Sequence, residues 1–326
     1  MKKFNLQKMY TVCCFWILGA LLCSGAIAQS YPTKPITLIC PFNAGGSADI
    51  MARLVAQSMS EYLKVPVIVE NHGGSGGGIG SNMVAKSKPD GYTLLLLTGA
   101  YTSQAAITKS PKFDPLKDID MVSLITTYPF ILAVNPNSSY RNLQDLINDA
   151  KNNPGKLNYS SSGIGSIHHL SSELLNSMSG IDTVHIPTKG GSIAITELMA
   201  GRIDFLIEAP QLIMPYIQGG KLRGIATTGT SRSSKYNNLP TIGETFPGYE
   251  VRSYIGIATT GGTPPEIIEI LNKAVRSSIS NKDLSQRLID LGGEPISTSA
   301  DETKKFVAVE YYKWQKVISA RKIEKE

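Results

Sequence analysis

Short β-forming runs alternate with helical apolar periodicity along nearly the whole chain. That alternation admits few folds, chief among them a parallel sheet covered by helices. Residues 36–40 read as a strand, 41–47 as a turn and 49–63 as a helix with Ile50, Leu54, Val55, Met59 and Leu63 on one face. Strands follow at 67–70 and 92–97, with a glycine-rich link and a helix at 79–86 between them, and Asp90-Gly91 turning the chain. A second series places strands at 130–134, 157–160, 184–186, 203–207 and 222–227, separated by helices at 143–151, 167–178, 193–200 and 212–217. After an extended stretch at 249–258 the pattern is helical, with Pro264-Pro265 opening 266–279, then 283–291 and 303–321.

The extended segments 130–135 and 250–258 bracket the second series. If both cross between lobes, the fold class is α/β: two parallel-sheet lobes joined by a double-strand hinge, a cleft that closes on a ligand. The expected division is a leader at 1–28, a discontinuous first lobe at 29–130 and 255–326, and a second lobe at 131–254.

The leader is read from Lys2, Lys3 and Lys8, an apolar run at 12–22 and Ala26-Ile27-Ala28, the pattern of a secretory signal peptide cut after Ala28. The apolar run is too short for a membrane span. Over all 326 residues, 32 Lys and Arg against 26 Asp and Glu give a net charge of +6, which falls to +3 once the leader's three lysines are gone. The densest basic stretch, 304–325, also holds Glu310 and Glu324, so it reads as a solvated helical face rather than a nucleic-acid surface. Cys13, Cys14 and Cys23 leave with the leader; Cys40 remains, inside an apolar run, as an inert buried thiol with no partner for a disulfide.

Candidate chemistry sits in loops between strands and helices, where open α/β sheets bind ligands. Pro41 to Asp49 is rich in small residues and opens a helix, so its amides suit an anion; a tight turn capped by Ser47 or Asp49 is an equal reading. Residues 98–103, 160–166 and 187–192 repeat the arrangement, with Lys189 the one cation among the four loops. An anion would therefore be held by helix N-termini, amides, hydroxyls and water. The segment 72–80 has neither nucleotide-binding glycine register and reads as a helix entry or surface loop. Adjacent His168 and His169 diverge by about 100° on a helix, which argues against a metal. No nucleophile elbow is present, and Glu208 and Asp49 are the only acid/base candidates.

Taken together, Tyr31-Pro32-Thr33-Lys34-Pro35-Ile36, the 41–49 loop, Val69-Glu70-Asn71, Lys88-Pro89-Asp90-Gly91-Tyr92, Gly163-Ile164-Gly165-Ser166 with His169-Leu170, and Gly201-Arg202-Ile203-Asp204 resemble the Bug (TctC-type) substrate-binding proteins of tripartite tricarboxylate transport systems. The resemblance implies a periplasmic two-lobed receptor that hands a small carboxylate to membrane permease subunits, as a monomer, without cofactor, metal or nucleic acid. It implies ligand contacts at Phe42, Asn43, Ala44, Gly45 and Asp49 from one lobe and Ser162, Gly165, Ser166 and His169 from the other, partly through water. Thr98, Ser103, Lys189 and Glu208 complete the expected set. The chain departs from the family pattern at Thr188, Glu208-Ala209, His72-Gly73 and Tyr254, all expected around the cleft. A sensor module for a membrane kinase and, with less support, an exported enzyme using Glu208 or Asp49 are the other readings.

Overall fold

The computed structural model describes residues 31–326 apart from Asn237, and the expected leader lies outside the described residues. Two sheets form. The first, in the order β11-β4-β10-β3-β1-β2, holds β1 (Ile36–Cys40), β2 (Val67–Asn71), β3 (Thr93–Thr98), β4 (Ile119–Pro129), β10 (Arg252–Thr260) and β11 (Glu294–Pro295). The second, in the order β7-β6-β8-β5-β9, holds β5 (Ile131–Val134), β6 (Asn158–Ser161), β7 (Val184–Pro187), β8 (Phe205–Glu208) and β9 (Arg223–Thr227).

Neither sheet is purely parallel, which corrects the sequence expectation. β10 runs antiparallel to β3 and β4, and β5 runs antiparallel to β8 and β9. The reversal has a simple cause: each is the strand by which the chain enters a sheet from the other one. β4 leaves the first sheet at Pro129 and β5 joins the second at Ile131, with Phe130 alone between them; the return passes through Val251 into β10. Sheet membership therefore puts residues 252–254 with the first sheet. Thr228, fully buried, ties the two passages together. The Phe130 N–H donates to its Oγ1 and its own N–H to the Phe130 carbonyl, while its hydroxyl donates to the Val251 carbonyl and the Val251 N–H to its carbonyl.

Helices cover the faces. α1 (Ser47–Leu63) buries Met51, Ala52, Val55, Ala56 and Met59 and leaves Ile50 exposed, so its inward face is turned slightly from the one the apolar pattern suggests. α2 (Gly78–Ala85) follows β2, and most of the segment 98–103, read as a loop, falls instead in α3 (Gly99–Ile107). Around the second sheet lie α4 (Leu143–Asn152), α5 (Ile167–Ser179), α6 (Gly191–Met199) and α7 (Pro210–Gln218), then the single turn α8 (Ile242–Thr245). α9 (Pro265–Ser280) and α10 (Lys282–Asp290) return to the first. The last helix, α11 (Ala300–Ala320), serves both cores: Val307 packs with Ile39, Leu95 and Tyr254, while Trp314, Val317 and Ile318 pack with Leu132, Leu146 and Leu170. Its end is fastened by Arg321, which reaches Glu173 on α5 at 2.6 Å.

Candidate functional site

A cavity of about 730 Å³ lies between the two sheets, within the size range of small-molecule sites. Its wall is built where strands hand over to helices: Phe42 and Gly46 before α1, Thr98 and Gly99 at the start of α3, Ser162 and Ser166 before α5, and Glu208 before α7. Four helix N-termini thus face one space. α1 and α3 begin without a hydrogen bond from an N-cap side chain to their first-turn N–H groups. α5 is capped by Ser166, whose Oγ accepts from the His169 N–H at 3.2 Å and donates to the Gly163 carbonyl at 2.7 Å.

Of the residues singled out in the sequence, Phe42, Thr98, Ser162, Ser166 and Glu208 line the cavity. The others stand behind or away from it. Asp49 is a brace: its carboxylate accepts from the Gly45 N–H at 2.9 Å, from Asn71 Nδ2 at 3.0 Å and from Arg53, while Asn71 also donates to the Phe42 carbonyl. The Gly45 N–H foremost holds its pKa below the ordinary aspartate value, against the opposing effect of burial. Asn43, Ala44 and Gly45 belong to the loop so braced but are not on the cavity wall. Ser103 is buried and donates to the Ala100 carbonyl inside α3. Gly165, at φ +70°, presses against Ile107, so that a Cβ would come within 2.6 Å of its Cγ2.

His169 also faces inward. Its Nδ1 accepts from the Gly165 N–H at 3.1 Å, and its ring stacks on His185 at 3.9 Å between centroids. Burial pushes His169 down to about 4, and burial with the neighbouring ring pushes His185 down to about 3, so both are neutral at physiological pH. Lys189 is exposed and off the wall, and the 187–192 loop as a whole contributes nothing to it. Tyr254 is likewise no cleft residue: it is fully buried in the first sheet's core, its hydroxyl donating to Thr102 Oγ1. Among the departures from the family pattern, Glu208-Ala209 alone reaches the cavity.

Three contributors were not anticipated. His168, rather than His169, is the histidine on the wall; Ser162 Oγ lies 2.9 Å from its Nδ1, and Glu208 Oε1 lies 3.0 Å from its Nε2. The glycine-rich segment, read as a helix entry, supplies Ser75 and Gly76, and a Cβ on Gly76 would collide with Gln104. Tyr128 and Phe130 form an aromatic floor at the passage between the sheets, with the Phe130 ring edge-on to His168 at 4.9 Å. The strand at 119–129 was not read from the sequence: with both faces buried it carries no alternation to single it out.

Residues 51–323 match the family model described as "Tripartite tricarboxylate transporter family receptor". The chain belongs to that receptor family. The receptor is 31% identical to BugT of Bordetella pertussis over 317 residues, covering 96% of this chain and 97% of BugT. Its fold matches that of an R. palustris protein solved with adipate, at a TM-score of 0.78 and 32% identity over 89% of this chain and 98% of that one. It matches MatC of Rhodopseudomonas palustris with bound malate at a TM-score of 0.76 and 28% identity, over 88% and 100% of the two chains. The α/β two-lobed binding-protein fold is thus that of its relatives, and the receptor is a substrate-binding protein rather than an enzyme.

Proposed function

We propose that this receptor captures a small carboxylate in the interlobe cleft in the periplasm and delivers it to a tripartite tricarboxylate-type permease. The observation that carries the reading is the convergence of the uncapped N-termini of α1 and α3 on one cavity with the N-terminus of α5. Unclaimed amides and the positive ends of helix dipoles attract a carboxylate without a cationic side chain, and among the described residues the wall holds no lysine or arginine. The adipate- and malate-bound relatives support the ligand class, and the leader pattern at 1–28 supports export. In this reading Phe42, Thr98, Ser162 and Ser166 contact the ligand, Asn43 to Gly45 offer backbone from the braced loop, and the lobes hinge at Phe130 and Val251.

A thermal-shift titration of protein stripped of co-purified ligand tests capture. A bound acid should raise the melting temperature saturably, with stabilisation of about 2.7 kcal/mol once its concentration is about a hundred times Kd. No stabilisation by any of a broad set of mono-, di- and tricarboxylates would reject the reading. Uptake of the labelled acid in cells with and without the receptor gene tests delivery.

A further inference from the structure

The cavity carries a buried acid, Glu208, at the end of β8 on the second-lobe side, against the starts of α1 and α3 on the first. Among the described residues the wall's acids are Glu208 and Glu326, the latter beside Ile107 at the end of α3, and His168 is its one basic side chain. Glu208 is 1% exposed. Its Oε1 accepts from the Ala209 N–H at 2.7 Å and lies 3.0 Å from His168 Nε2 without a hydrogen bond between them, while Oε2 has no hydrogen-bond partner. That oxygen lies so near Gly191, at the start of α6, that a Cβ there would overlap it. The carboxylate therefore occupies the very helix ends, those of α6 and α7, that could have served a second anion. One turn along α7, Gln211 Oε1 is a further buried acceptor without a partner. Unmatched buried acceptors favour a donor and oppose an anion.

We propose that Glu208, supported by His168 and Gln211, makes the receptor select acids with one carboxylate and a hydrogen-bond-donating group, hydroxyl or ammonium, at the far end, and reject matched dianions. This rests on the carboxylate-receptor reading and narrows it. The single carboxylate sits at the ends of α1 and α3, the apolar body lies along Phe42, Phe130 and Ile167, and the donor end meets Glu208.

Calorimetric titration of the stripped receptor at neutral pH with two length-matched sets tests this: adipate against 6-hydroxyhexanoate and 6-aminohexanoate, and terephthalate against 4-(hydroxymethyl)benzoate. The donor-bearing acids should bind about tenfold or more tightly than their dianions. Glu208→Gln, confirmed folded by its melting curve, should shrink that ratio by letting the dianions in. Dianions binding as tightly as their partners in the unmodified receptor would overturn the selectivity while leaving carboxylate capture intact, and needs no variant to be read. An unchanged ratio in folded Glu208→Gln would overturn the role of Glu208. Binding by neither set would overturn both this inference and the reading beneath it.

Discussion

His169 and His185 illustrate how one residue's chemistry serves the site from behind. Stacked and buried, they stay neutral because a proton on either would have to be desolvated. Their folded values, about 4 and about 3, lie below the ordinary histidine value of about 6.5, so the unfolded chain takes up protons that the folded chain refuses. Stability is fully present above about pH 6.5 and falls as pH drops through that value. Between about pH 6.5 and 5, above the carboxylate range, unfolding free energy from urea titrations should decline with a slope approaching two protons, and His185→Gln should halve it. A flat profile there would contradict the burial. A second expectation at this scale contrasts two cleft-loop residues: Ser166→Ala removes the α5 cap and should weaken ligand binding and lower stability by about 1 kcal/mol. Lys189→Ala should change neither appreciably, since its side chain is exposed and off the wall; a large loss of affinity on that change would show that a point charge, not helix ends, grips the anion.

At the scale of elements, the decisive piece is the pair of passages between the sheets and the threonine that joins them. Thr228 satisfies the Phe130 N–H and the Val251 carbonyl with its hydroxyl, both in a buried setting. Replacing it by valine keeps the shape and orphans both groups, which should cost about 2 to 3 kcal/mol by chemical denaturation, whereas Thr228→Ser should recover most of the loss. Equal effects of valine and serine would mean that packing, not the hydrogen bonds, matters here. Most elements were legible beforehand because their periodicity reflects one buried face. Two of the exceptions share a cause: β4 is buried on both faces and α3 is a short run of small and polar residues, GAYTSQAAI, so neither shows a one-sided pattern; β11 and α8, of 2 and 4 residues, are too short to show a period.

At the scale of the whole molecule, the two lobes meet through glycines. A Cβ on Gly99 would come within 2.7 Å of Ile167 Cδ1 across the cleft, and one on Gly165 within 2.6 Å of Ile107 Cγ2. Gly165→Ala should therefore wedge the lobes apart, weakening ligand binding and enlarging the radius of gyration in small-angle scattering. Gly180→Ala is the control, because its φ of +68° imposes the same backbone strain with nothing within 4 Å of the new methyl. Equal effects of the two would reduce the Gly165 requirement to backbone conformation alone. α11 adds a second link, with Val307 in one core and Trp314 in the other, so we expect the lobes to unfold in one transition.

Most of the order of strands and helices, the doubled α/β arrangement and the loops rich in small residues were written in the sequence, because each depends on local periodicity and local turn chemistry. So was the family likeness, which spreads over many short motifs. Which side chains reach the cavity was not. His168 and His169 are neighbours on one helix, and only the position of α5 against β6 and Phe130 sends one to the wall and the other into a stack with His185. Asp49, an anion-site candidate by position, became a brace because Asn71 and Arg53 arrive from β2 and the next helical turn to claim it. Glu208 meets Gly191 only because β8 ends beside the start of α6, a juxtaposition across a gap in sequence that no local pattern records.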